Sequence, residues 1–107
     1  MKLGIVLNSN EPETAWNAFR LGVLALKEGN EAKVFLLGNG VECTGIRHET
    51  FNVEEKIREF ASLNGMILAC GTCIKARNQK ESALCPISTM KDLLELIQKS
   101  DKIISLG

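Results

Sequence analysis

Five short apolar runs alternate with longer stretches whose apolar residues recur at helical spacing, and this alternation confines the chain to an α/β architecture. Residues 3–7 are the first run, closed by Asn8, Ser9 and Asn10, and predict a buried strand. In residues 12–28, Ala15, Phe19, Gly22, Val23 and Leu26 share one helical face with Trp16 at its edge. Pro12 suits the first turn of that helix and Gly29 its stop. Residues 32–37 predict a second strand ending at Gly38, Asn39 and Gly40. A second helix starts at Asn52, which stands at capping-box spacing from Glu55. Val53, Ile57, Phe60 and Leu63 form its inner stripe, and Asn64 and Gly65 end it. Residues 66–69 predict a third strand that runs straight into Cys70, Gly71, Thr72 and Cys73, then a short helix to about Arg77. A fourth strand over 83–87 is weakened by Pro86, which lacks a ladder donor. Thr89 then caps a helix with Met90, Leu93, Leu94 and Ile97 inside, and residues 102–106 are the last strand.

The order is βαβαβαβαβ with short connections, no linker and no internal repeat. Residues 1–107 therefore read as one domain: a doubly wound sheet of about five mainly parallel strands with helices on both faces. A chain of 107 residues has room for one hydrophobic core. In such sheets ligands and chemistry collect at the carboxyl ends of the strands. Here those ends carry residues 8–10, 38–40, 70–73 and the segment after Ile87.

Thirteen basic side chains balance thirteen acidic ones, so there is no general attraction to nucleic acid or to an anionic membrane. The same neutrality does little to oppose self-association, and Leu21 and Leu24 on the otherwise polar side of the first helix favour a homo-oligomer. No apolar run approaches the roughly 20 residues that span a bilayer. The apolar opening is broken too soon for a signal peptide. The expected setting is the cytoplasm, where thiols stay reduced and four cysteines do not read as a disulfide framework.

Cys70 is the best placed of these cysteines. At the junction of a strand and a helix its sulfur faces unpaired backbone N–H groups, which favour the nucleophilic thiolate. Gly71 leaves little bulk beside the sulfur, so a second sulfur centre has room to approach. Against this stands the common fate of a free cysteine, burial as a small apolar residue. Cys73 completes a C-x-x-C pair that is open to three readings: a redox dithiol, half of a zinc site, or a residue packed on the inner helix face. A thioredoxin-type dithiol lacks its antiparallel hairpin here. Zinc lacks a second C-x-x-C or an H-x-x-x-H, so no metal is expected. Cys85 reads as core, Cys43 as partly exposed after the glycine turn, and His48 as a surface residue.

Nucleotide motifs fail as well. The glycines at 38, 40 and 45 match G-x-G-x-x-G only loosely and follow the second strand rather than the first. Glu11 and Glu13 would repel phosphate at the first helix. No cofactor is expected.

The run Gly65-Met-Ile-Leu-Ala-Cys70-Gly-Thr-Cys-Ile-Lys-Ala-Arg77-Asn78 resembles the active segment of the DsrE family, which includes the TusD-like sulfur-relay proteins. That segment is a strand ending in Cys, an Ala-rich short helix, and an Arg-Gly pair seven and eight residues on. Cys70 and Arg77 match it; Asn78 replaces the usual glycine, and Asn is the next best residue for a left-handed helix stop. Residues 32–41 and 89–107 resemble the family more loosely.

The resemblance implies a flavodoxin-like subunit assembling as a homotrimer or hexamer. It also implies a cysteine, here Cys70, that receives sulfur as a persulfide and passes it to a partner protein's cysteine. The expected activity is thus that of a sulfurtransferase-type persulfide carrier with donor and acceptor proteins as partners. Cys70 is the nucleophile in this reading, and Gly71, Thr72, Cys73 and Arg77 support it. N–H donors at Gly71 and Thr72 are expected to stabilise the anionic sulfur, with Cys73 resolving Cys70 by a disulfide when no acceptor arrives. Two alternatives stand beside it: a non-enzymatic binding or scaffold subunit in which Cys70 is structural, and a Cys70/Cys73 dithiol oxidoreductase.

Overall fold

The computed structural model describes residues 1–79 and 86–107. Strand β1 (Lys2–Leu7) is followed by helix α1 (Pro12–Lys27), strand β2 (Glu31–Leu36) and a 3₁₀ segment, Gly38–Gly45. Helix α2 (Val53–Ser62), strand β3 (Met66–Cys70) and the short helix α3 (Gly71–Ala76) come next. Strand β4 (Ile87–Ser88), helix α4 (Met90–Lys99) and strand β5 (Lys102–Leu106) complete the chain. All pairings are parallel, and the sheet order is β4-β3-β2-β1-β5. The chain thus steps outward from β1 to β4 and then crosses back to the far side of β1.

Strand periodicity decides what each face buries. Ile5 aligns with Val34 on β2 and Ile104 on β5, and Val34 aligns with Ile67 on β3. Ile5 meets α1 beside Gly22, and Phe19 of α1 packs edge-on against Phe60 of α2 with centroids 5.7 Å apart. Gly22 is what lets the two helices close: a Cβ there would lie 2.7 Å from the Phe60 ring. Gly4 points to the other face, where a Cβ would lie 3.5 Å from Leu96 of α4. Helices therefore cover both faces, α1 and α2 on one and α4 on the other.

The helix ends follow their sequence signals. Asn52 Oδ1 accepts the Glu55 N–H at 3.1 Å, while the Glu55 carboxylate accepts from the Asn52 side-chain amide at 3.3 Å. Thr89 and Asp92 form a full capping box on α4. Asn64 (φ 68°) and Asn78 (φ 53°) both take the left-handed conformation after a helix, the role expected of Asn78 in place of glycine.

Three expectations need correction. Met90, Leu94 and Ile97 do not face inward; they are 57%, 54% and 46% exposed, and Leu96 is the buried residue of α4, with Leu93 half-buried. Among the described residues this helix is the only one on its side, and it turns Leu93 and Leu96 to the sheet, which leaves the 90/94/97 stripe outside. Cys43 is buried rather than partly exposed, because the glycine turn continues into the 3₁₀ segment that folds its side chain into the core. The fourth strand begins after Pro86, whose carbonyl accepts the Ala69 N–H at 3.1 Å. The part of that strand read over 83–85, with Cys85, lies outside the described residues.

Candidate active site at Cys70 and Cys73

Cys70 ends β3 and is at once the N-cap residue of α3 (φ −59°, ψ 115°). Its neighbour across the ladder is Ser88 on β4. This is the carboxyl edge of the sheet, as the alternating pattern implied. Cys70 is 4% exposed, whereas Cys73, one helical turn on, is half-buried.

Burial pushes the Cys70 thiol above its ordinary pKa, and the neighbouring Cys73 side chain pushes the same way. The backbone N–H groups of Cys73 and Thr72 pull it down but do not win, and the Cys70 side chain makes no capping hydrogen bond to α3. The expected thiolate-favouring setting is therefore corrected. The donors exist, yet they belong to Thr72 and Cys73 rather than to Gly71 and Thr72, and desolvation outweighs them. The room expected beside Gly71 is also taken. A Cβ there would lie 2.7 Å from Ile87 Cγ2 and 3.3 Å from the Ser88 carbonyl, so this glycine admits β4.

Cys73 has a partner from a different element. The Gly38 N–H donates to Cys73 Sγ at 3.3 Å, from the first residue of the 3₁₀ segment that follows β2. Gly38 adopts φ 56°, and a Cβ there would run into the Asn8 side chain, so glycine is required where the chain turns toward the sulfur.

Arg77, the C-cap residue of α3, does not reach toward Cys70. Its Nε pairs with Glu42 at 2.9 Å, Nη2 donates to Asn39 Oδ1 at 2.7 Å, and Nη1 donates to the Cys73 carbonyl at 3.1 Å. Asn10 Nδ2 donates to the other oxygen of Glu42 at 2.9 Å. Arg77 thereby ties α3 to the 3₁₀ segment that carries Gly38. Sequence reading placed Asn10, Gly38 and Asn39 at this edge of the sheet without giving them contacts, and it missed Glu42. Glu42 and Arg77 are 35 residues apart, and no local pattern announces such a contact.

A cleft of about 460 Å³ opens beside this network, lined by Asn10, Glu42, Thr44, Gly45, Ile46, Arg77 and Gln79. Neither Cys70 nor Cys73 lines it. Among the described residues no three of His, Cys, Asp or Glu converge as a metal cluster would require. His48 is exposed, with Nδ1 accepting the N–H groups of Thr50 and Phe51 at 3.1 Å. The N-terminus of α1 is occupied by its own carboxylate: Glu11 accepts the N–H groups of Glu13 and Thr14 at 2.9 and 3.0 Å, and these bonds hold its pKa low. Among the described residues no helix is long and apolar enough to cross a membrane.

An uncharacterized protein of Methanocaldococcus jannaschii is 34% identical over 99 residues, covering 87% of each chain. Another, from Methanopyrus kandleri, is 33% identical over 99 residues, covering 86% of this chain and 81% of that one. A solved structure of a conserved protein of unknown function from Bacteroides thetaiotaomicron superposes with a TM-score of 0.77 at 19% identity, over 97% of this chain and 93% of that one, which is a likeness of fold. The model of the DsrE/DsrF-like family matches residues 1–106, and with a strand-end cysteine at the edge of a five-stranded parallel sheet the chain belongs to that family.

Proposed function

We propose that this protein accepts sulfur as a persulfide on Cys70 and relays it to the thiol of an acceptor protein. The observation that carries the reading is the pair of cysteines one helical turn apart at the carboxyl end of β3. Sulfur exchange proceeds by attack of one thiolate on a sulfur–sulfur bond, and it needs a free thiol able to ionise and a surface where donor and acceptor meet. In the overall reaction Cys70 thiolate takes the outer sulfur of a donor persulfide and the donor leaves as a thiolate. The acceptor thiolate then takes that sulfur and restores Cys70. A reducing, cytoplasmic setting is part of this reading, because the chemistry depends on free thiols.

Self-association belongs to the same proposal. Its support is the apolar stripe of Met90, Leu94 and Ile97 on α4, together with Met66, 47% exposed on the same side of the sheet. Leu21 and Leu24, 38% and 55% exposed on α1, offer a second apolar surface.

The test is intact-protein mass spectrometry after incubation of the reduced protein with a persulfide donor. The expected result is a gain of one sulfur atom, located on Cys70 by fragmentation, that disappears when an acceptor thiol is added and when Cys70 and Cys73 are both replaced by Ser. Absence of the gain, or its persistence in that double variant, refutes the reading. The same pair of cysteines also suits a dithiol oxidoreductase, whose mark would be a reversible Cys70–Cys73 disulfide and activity lost in Cys73→Ser. A structural Cys70 in a scaffold subunit would exchange no sulfur at all.

A further inference from the structure

We propose that Cys73 is the port of the site: it takes sulfur from the donor and hands it inward to Cys70, where it is stored. This rests on the persulfide reading above and assigns the second cysteine a step in it.

Access is the first observation. Cys70 is covered, 4% exposed, and Ile87 and the Ser88 carbonyl occupy the space beside Gly71, whereas Cys73 is only half-buried. A donor persulfide carried on another molecule meets Cys73 before it meets Cys70. Contact is the second. The two side chains stand at i and i+3 across one helical turn, so sulfur passed between them needs only side-chain rotation. The third is the Gly38 N–H aimed at Cys73 Sγ at 3.3 Å, a donor from another element that solvates this sulfur whenever it is anionic.

The steps balance in atoms and electrons. Cys73 thiolate attacks the outer sulfur of the donor persulfide; the new sulfur–sulfur bond forms as the donor's breaks, and the donor leaves as a thiolate. Cys70, having lost its proton to solvent, then attacks the outer sulfur of the Cys73 persulfide. Cys73 leaves as a thiolate into the Gly38 N–H, and the sulfur now sits on Cys70. No net oxidation occurs, because one sulfur–sulfur bond is exchanged for another at each step.

The inward direction follows from the two environments. Exchange runs toward the state with the better stabilised thiolate, and the better leaving group departs faster. Burial disfavours the Cys70 anion, while Cys73 keeps a backbone donor from β2's end. Sulfur therefore collects on Cys70, sheltered from small thiols in solution.

The experiment uses glutathione persulfide as donor with the wild type, Cys73→Ser, Cys73→Ala and Cys70→Ser, quenched at intervals and weighed intact. Fragmentation of the tryptic peptide 59–75, which contains both cysteines, locates the sulfur. The wild type is expected to carry it on Cys70. Both Cys73 variants are expected to load Cys70 roughly tenfold more slowly or worse. Cys70→Ser is expected to load at the wild-type rate on Cys73 and to surrender the sulfur to free glutathione roughly tenfold faster than the wild type. Two substitutions at Cys73 guard against one of them misfolding, and melting curves identify such a failure. Unchanged loading in either folded Cys73 variant overturns the proposal, as does wild-type sulfur found on Cys73. Sulfide release with loss of two hydrogens from the wild type also overturns it, since Cys70 would then attack the inner sulfur. In these outcomes the wild type still reacts with the donor; a wild type that gains no sulfur and releases no sulfide refutes the persulfide reading itself.

Discussion

Arg77→Met separates a cation that holds the sulfur-bearing turn from one that acts on the sulfur. The methionine keeps most of the stem's packing and removes every donor. The Glu42 pair is lost first; with the two side chains 27% and 40% exposed, solvent screening holds its value to about 0.5–1 kcal/mol. The bond to the Cys73 carbonyl, in the last turn of α3, adds about 1 kcal/mol as a charge-assisted contact. Asn39 is exposed, so its bond adds less than about 0.5 kcal/mol. The sum is about 2 kcal/mol, and at about 4–8 °C per kcal/mol for a domain near this size the melting temperature should fall by about 10 °C. Urea titration with an unchanged slope checks the value, and a double-mutant cycle with Glu42→Gln should return a coupling of about 0.5–1 kcal/mol. Persulfide loading of the folded variant should stay within roughly threefold of wild type, the size of a modest shift in the Cys73 environment. A loss below about 0.5 kcal/mol would refute the energetic argument. A hundredfold loss of loading with stability intact would refute the mechanical role and put the guanidinium on the sulfur.

Other outcomes follow from the same geometry. Iodoacetamide should modify Cys70 slowly at pH 7 and faster as pH rises past the ordinary thiol range, because burial keeps the thiol protonated; rapid reaction at pH 7 that mass mapping assigns to Cys70 would contradict this. The same shift makes the folded state hold its proton longer than the unfolded chain. Stability should therefore be full below the unfolded thiol pKa and decline as pH climbs from there through the raised folded value, and denaturation midpoints in Cys70→Ser should lose that component. Asn78→Ala should cost about 1 kcal/mol at φ 53°, while Asn78→Gly should stay within about 0.5 kcal/mol, as read by denaturant midpoints. Leu94→Lys, which charges the exposed stripe of α4, should reduce the assembly size measured by light scattering without lowering the stability of the subunit.

The elements were legible because their signals are local. Apolar runs, Pro12, the Asn52 and Thr89 caps and the stops at Gly29, Asn64 and Asn78 act within a few residues, and each stands where the sequence put it. The inner face of α4 was misread because Met90, Leu93, Leu94, Leu96 and Ile97 leave two apolar sides on ten residues. Periodicity cannot choose between them; only the single layer of helix on that face of the sheet does. The site was legible as a place and not as an environment. A cysteine at a strand end followed by glycine located Cys70, yet the glycine serves Ile87, and Gly38, Asn39 and Glu42 arrive from more than 30 residues away.

That distance matters for the chemistry. A strand-end cysteine at a helix start should be a ready nucleophile on local geometry alone, and here the backbone N–H groups of Thr72 and Cys73 do pull its pKa down. Tertiary packing reverses the outcome by covering the thiol. A buried sulfur is a poor first contact for a donor but a good place to hold a labile persulfide, since small thiols that would strip it are kept away. The neighbouring cysteine has the complementary properties: access, a donor from the segment after the adjacent strand, and a place one helical turn from Cys70. The division explains why a second cysteine one turn on is useful even though a single thiol suffices to carry sulfur. It also explains why Arg77 spends its donors on Glu42, Asn39 and the Cys73 carbonyl rather than on either sulfur. A cation on Cys70 would stabilise its thiolate and weaken the inward bias that separation of the two environments creates.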